Sequence, residues 1–96
     1  MHGSAEEKVP GGKLLRIKVD FNGAIKDIQI SGDFFLHPEE CIDKIEKNLF
    51  GISIGMEENQ ITHLIEEISK SNKIEMIGIS AKDIARVLKR AIANAK

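Results

Sequence analysis

The 96-residue chain sets 14 Lys and Arg against 15 Asp and Glu, for a formal net charge of −1, and is 42% hydrophobic and 30% charged. That composition describes one small domain with a limited core, a length at which few enzymes combine a substrate pocket, a cofactor site and a core, which favours a module or subunit over a self-sufficient enzyme. It has no basic surplus to displace counterions from nucleic acid, and no apolar run near the roughly 20 residues that span a bilayer, so neither is an expected partner.

Residues 1–12 are polar, end in Val9-Pro10-Gly11-Gly12, and are expected to form a flexible lead-in, with Met1 to Ser4 open to reading as a cloning remnant. They contain no apolar h-region and so are no signal peptide. Residues 13–96 are then read as a single domain. From Lys13 to Phe21, the apolar Leu15, Ile17, Val19 and Phe21 alternate with Arg16, Lys18 and Asp20, the pattern of a half-buried strand. Asn22-Gly23 suits the positive φ angles of a type I′ turn. Ala24 to Ser31 returns as a second strand with Ile28 and Ile30 on one face. Ile25 is out of phase with them, which predicts a bulge near Lys26-Asp27.

Gly32 to Leu36 continues extended as a short third strand. Pro38 suits the first turn of a helix, where Glu39 and Glu40 complement the dipole. Cys41, Ile42, Ile45 and Leu49 give that helix its apolar face, Gly51 stops it, and Ile52 to Gly55 is a connector. A second helix is expected from about Glu57 to Lys70, with Ile61, Leu64, Ile65 and Ile68 as its apolar face. Lys73 to Ile79 is short and β-rich. Ser80-Ala81-Lys82-Asp83 reads as a capping box opening a third helix, with Ile84, Val87, Leu88, Ala91 and Ile92 inward. Strands first and helices after predict an α+β domain. Its small antiparallel sheet, the N-terminal hairpin plus a short strand, would carry about three helices on one face.

Three groups of residues bear on chemistry. His37 and Cys41, with Glu40 beside them, have i,i+4 spacing that zinc or a thiolate nucleophile can use. A metal site needs about four ligands, however, and neither His2 nor His63 completes one. Cys41 also lies on the apolar stripe, where a thiol packs as a small hydrophobe. As the single cysteine, it excludes an internal disulfide and fits a reducing cytosol. The second group is a basic stripe on the last helix, Lys82, Arg86, Lys89 and Arg90, suited to an acidic partner or simply to a solvated face. The third is Gly32-Asp33-Phe34-Phe35, which holds two of the four phenylalanines in a chain without Trp or Tyr. Adjacent side chains of an extended segment face opposite ways, so one ring should enter the core and the other needs a second apolar surrounding, a partner among the candidates. Asp33 is expected to bond back to local N–H groups and hold the bend. No nucleophile–base pair and no Gly-rich phosphate loop is present, and no catalytic or metal-binding residue is expected.

The run Lys8-Val9-Pro10-Gly11-Gly12-Lys13-Leu14-Leu15-Arg16-Ile17, followed by Ile28-Gln29-Ile30-Ser31-Gly32-Asp33-Phe34-Phe35 and Pro38-Glu39-Glu40, resembles the small C-terminal domain of lipoate–protein ligases. The likeness runs from Lys8 to about Ala93. It is closest to the free-standing form, in which the ligase is split into a large catalytic subunit and a small accessory subunit; the absence of a large ligase domain in this chain favours that form. The resemblance implies an accessory role in the ATP-dependent activation of lipoate to lipoyl-adenylate. Lipoyl transfer to a lysine of lipoyl-domain proteins would follow. It implies a heterodimer with the catalytic subunit, which would bind ATP, Mg²⁺ and lipoate and hold the catalytic lysine. No lysine of this chain matches that one. The positions that match the family pattern are Gly12, Lys13, Gly32, Asp33, Phe34 and Phe35, with docking as their expected use. A related fold occurs in sulfur-acceptor and iron–sulfur scaffold proteins, an alternative that requires an exposed, acidic Cys41. A regulatory protein-binding module is the other alternative.

Overall fold

The alternating segment forms strand β2 (Leu14–Phe21), the middle of a three-stranded antiparallel sheet, in the computed structural model, which describes residues 1–95. Leu15, Ile17, Val19 and Phe21 are buried, while Arg16 and Lys18 face solvent. Across the Asn22-Gly23 turn, β3 (Ile25–Gly32) pairs with β2, and the register slips between Asp20 and Phe21, so that Asp20 faces Asp27 and Phe21 faces Ile25. The extra residue is the expected bulge. It brings Ile25 into phase, and Ile25, Ile28 and Ile30 are all buried.

The third strand of this sheet differs from expectation. Residues 2–8 are no flexible lead-in: they form β1 (His2–Lys8), paired with β2 from His2 opposite Asp20 to Lys8 opposite Leu14. β1 buries Ala5, and Val9 just beyond it, so its period-2 pattern is too sparse to stand out. Main-chain hydrogen bonds to β2 and the approach of a helix hold it instead. A Cβ on Gly3 would lie 2.0 Å from the Ala91 carbonyl oxygen, so only glycine admits that helix so close.

The expected third strand, β4 (Phe35–His37), stands apart from this sheet. It pairs antiparallel with β5 (Glu75–Ile77) in a separate two-stranded ribbon. Helix α1 (Cys41–Leu49) begins later than expected, because Pro38 to Glu40 form a preceding turn in which Cys41 N–H bonds the Pro38 carbonyl. After it, residues 51–54 run along the start of β3: Gly51 N–H donates to Ile25, Ile25 N–H donates to Ile52, and Ala24 bridges Ser53. The connector therefore covers a sheet edge. Helix α2 (Glu58–Ser71) opens with a Glu57–Gln60 capping box, and α3 (Ala81–Ala93) with the expected Ser80–Asp83 box. Helix α3 lies on β1 and β2, α1 on β3, and α2 packs behind both helices, so all three cover one face of the sheet. Ile84, Val87, Leu88 and Ala91 reach the centre of that core, with Ile92 at its margin. Lys96 lies outside the described residues.

Candidate functional site

The two sequence segments that match the ligase pattern converge in space. The β1–β2 turn closes through Val9 N–H to the Lys13 carbonyl, at 2.8 Å, and Gly12 N–H to the Val9 carbonyl, at 2.9 Å. Lys13 leaves this turn exposed, its stem so near Gly78 that a Cβ there would lie 2.8 Å from Lys13 Cγ. Gly78 follows directly on β5. From the other side, Gly32 ends β3 against Leu14, and Asp33 N–H donates to the Leu14 carbonyl at 3.0 Å. The Asp33 main chain thus holds the bend. Among the described residues its carboxylate bonds nothing, contrary to the expected side-chain bond.

Past this bend the two rings separate. Phe34 is half-buried against the core, whereas Phe35 is 63% exposed. Opposite Phe35 on the ribbon stands Ile77, 45% exposed. On the other side of Phe35 a shallow groove of about 300 Å³ runs past Phe34, Leu36, Ile30 and Ile42. The resulting surface combines apolar side chains with Lys13, Glu39 and Glu75 at its borders, which suits contact with another molecule more than it suits bond making.

The basic stripe is largely engaged within the chain. Arg86 donates to Glu7 from Nε at 2.9 Å and from Nη2 at 2.6 Å, and also to Asp83 at 2.8 Å. Arg90 reaches the other Glu7 oxygen at 3.0 Å, and Lys89 Nζ donates to the Ile54 carbonyl at 3.0 Å. The hydrogen bond from Arg86 holds the Glu7 carboxyl below its ordinary value, and Glu7 and Asp83 together raise Arg86 further. Of the four residues expected to meet an acidic partner, only Lys82 makes no such contact among the described residues. Within the chain, Glu7 of β1 pairs with both arginines of the stripe, and Asp83 with Arg86. Sequence reading missed Glu7 because it lies in the supposed lead-in, and missed Ile77 because only the β4–β5 register sets it beside Phe35.

The His37–Cys41 pair does not form a site. Cys41 is 2% exposed and faces the core from α1, while His37 points to solvent from β4. His63 lies 3.5 Å from Glu66 on α2, and His2 lies 3.5 Å from Asp20. Among the described residues no three His, Cys, Asp or Glu side chains gather as metal ligands. A sulfur-transfer role needs an accessible thiol, and the burial of Cys41 counts against it.

A family model described as "Bacterial lipoate protein ligase C-terminus" matches residues 3–88. The chain is 36% identical, over 77 residues, to lipoate-protein ligase A subunit 2 of Thermoplasma acidophilum, a match covering 79% of this chain and 77% of that protein. It also superimposes, at a TM-score of 0.76 and 34% identity, on a chain from the solved structures of an archaeal lipoylation system. That system is a bi-partite lipoate protein ligase and its E2 lipoyl domain from Thermoplasma acidophilum, and the match covers 92% of this chain and 94% of that one.

Proposed function

This chain belongs to the lipoate–protein ligase C-terminal family, and from that membership we infer that it is the accessory subunit of a bipartite lipoate–protein ligase. It works with a separate catalytic subunit in the ATP-dependent activation of lipoate to lipoyl-adenylate. Transfer of the lipoyl group to a lysine of a lipoyl domain follows. ATP, Mg²⁺ and lipoate bind in the catalytic subunit, and this chain supplies none of the reacting groups. The cytoplasm is its place of work, in keeping with a single unpaired cysteine; no helix among the described residues is long and apolar enough to cross a membrane.

Family membership carries this reading, and the meeting of both matched segments on one exposed edge, in a domain whose single thiol is buried, supports it. An accessory domain contributes by docking rather than by chemistry. When it closes over a neighbouring site it excludes water and orders the loops around the reactants, which strengthens the electrostatic interactions that position nucleotide and carboxylate. That task asks for a rigid core and a contact surface, and the three helices over the β1–β2–β3 sheet provide the first.

The test is pyrophosphate release from ATP and lipoate by the cognate catalytic subunit with and without this chain. Transfer from pre-formed lipoyl-adenylate to a lipoyl domain is measured in parallel. Release is expected only on mixing, with transfer little changed. Equal release in both reactions would refute an accessory role in activation.

A further inference from the structure

We propose that the outer face of the β4–β5 ribbon, formed by Phe35 and Ile77 with Lys13 at its margin, is the surface that seats on the catalytic subunit. The proposal rests on the accessory-subunit reading and adds the place of contact. Antiparallel register sets Phe35 opposite Ile77, Leu36 opposite Met76 and His37 opposite Glu75. Because side chains alternate along each strand, Leu36 and Met76 share one face and Phe35 and Ile77 the other, together with the exposed His37 and Glu75. Leu36 is buried and Met76 packs on the core, so the inner face serves this domain's own stability. The outer pair is left in water.

The apolar half of that face sets it apart from the other strands, while His37 and Glu75 continue their polar pattern beside it. The solvent face of β2 carries Arg16 and Lys18, and that of β3 carries Lys26, Asp27 and Gln29. Charged outer faces keep sheets from associating, and an aromatic residue beside a β-branched one on a short ribbon invites association. Two side chains fall well short of the roughly 800 Å² per partner of a standard interface. They suit its desolvated centre, where a few large residues carry most of the binding energy inside a polar rim. The groove beside Phe35 admits an apolar side chain from the other molecule. Lys13, Glu39 and Glu75 make no ion pair among the described residues, so the rim is of mixed sign and its lysine can meet a carboxylate of the opposing surface. The catalytic subunit is the occupant because the solved relative belongs to a bi-partite ligase, and because both matched segments, through Lys13 and Phe35, reach this one patch.

Calorimetric titration of the chain into the cognate catalytic subunit tests the proposal, with circular dichroism confirming that each variant folds. Phe35→Ala and Ile77→Ala should each weaken binding about 10-fold or more. Lys13→Glu should weaken it about 5-fold, with a smaller loss at high salt. Phe50→Ala removes a ring 44% exposed at the far end of α1 and should bind as the parent does. If the parent binds and activates while the Phe35, Ile77 and Lys13 variants bind equally well, the docking surface is wrong and the accessory role stands. If the parent neither binds nor activates, the accessory role itself fails. Light scattering that finds the chain alone to be a dimer, split by Phe35→Ala, would overturn the proposal in favour of self-association. So would a loss confined to titrations with the lipoyl domain.

Discussion

At Gly32 the backbone adopts φ +151°, and a methyl group there would lie 2.0 Å from the Leu14 carbonyl oxygen. The position is thus doubly closed to other residues, by conformation and by contact, and it is where the chain leaves the sheet for the ribbon. Gly32→Ala is expected to lower stability by about 2–4 kcal/mol, from backbone strain together with overpacking. Gly55→Ala is the control. Its added methyl meets only Ser53 Oγ, at 3.6 Å, and the change should stay within about 0.5 kcal/mol. Urea denaturation of both variants checks the pair, and equal midpoints would show that the close approach at Gly32 does not constrain the fold. Cys41 illustrates the same point about surroundings. Its thiol is removed from use by burial on the inner face of α1.

Between elements, the Glu7 clasp ties the edge strand β1 to helix α3, residues 79 apart in sequence for Arg86. The carboxylate is 23% exposed and accepts from two guanidinium groups, so it is worth more than a surface ion pair. Glu7→Gln should lower stability by about 1–2 kcal/mol at neutral pH. Because folding lowers the Glu7 pKa, its contribution is present in full above the ordinary value of 4.5 and is lost as pH falls through the folded value. The gap between parent and variant should therefore close in acid. Glu46 has the opposite sign. It caps the β3 edge by accepting from Ile30 N–H at 2.7 Å, and burial raises its pKa against the effect of that bond. Its contribution is present below 4.5 and is lost as pH rises through the folded value. Glu46→Gln keeps the acceptor without the buried charge, so it should gain on the parent as pH rises above 4.5. Unfolding midpoints from acid to neutral pH separate the two effects, and parallel curves for parent and variants would contradict both.

For the molecule as a whole, β1 decides whether the core closes. It covers one edge of β2, packs against α3, buries Ala5, and supplies Glu7. Removing residues 1–8 should lower stability by at least about 3 kcal/mol, a large share of what a domain this small possesses, and broaden its thermal melt. A truncated chain that melts like the parent would show β1 to be dispensable. Much of the remaining architecture is legible in the sequence. The alternation from Leu15 to Phe21, the Asn22-Gly23 turn, the bulge before Ile28, the helical stripes and the Ser80–Asp83 box are patterns within a few residues, governed by backbone periodicity and local hydrogen bonding. The ligase-like segments are legible too, as ordered residues. What the linear pattern leaves open is pairing between distant segments. β1 is nearly all polar and becomes a strand only because β2 offers its edge and α3 lies across Gly3. Which phenylalanine is exposed, what stands beside it, and whether the α3 arginines face a partner or their own chain all follow from register and packing. Those depend on contacts tens of residues apart: local patterning was enough for the hairpin, the helices and the family likeness, whereas β1, the β4–β5 ribbon and the exposure of Phe35 beside Ile77 needed the folded chain.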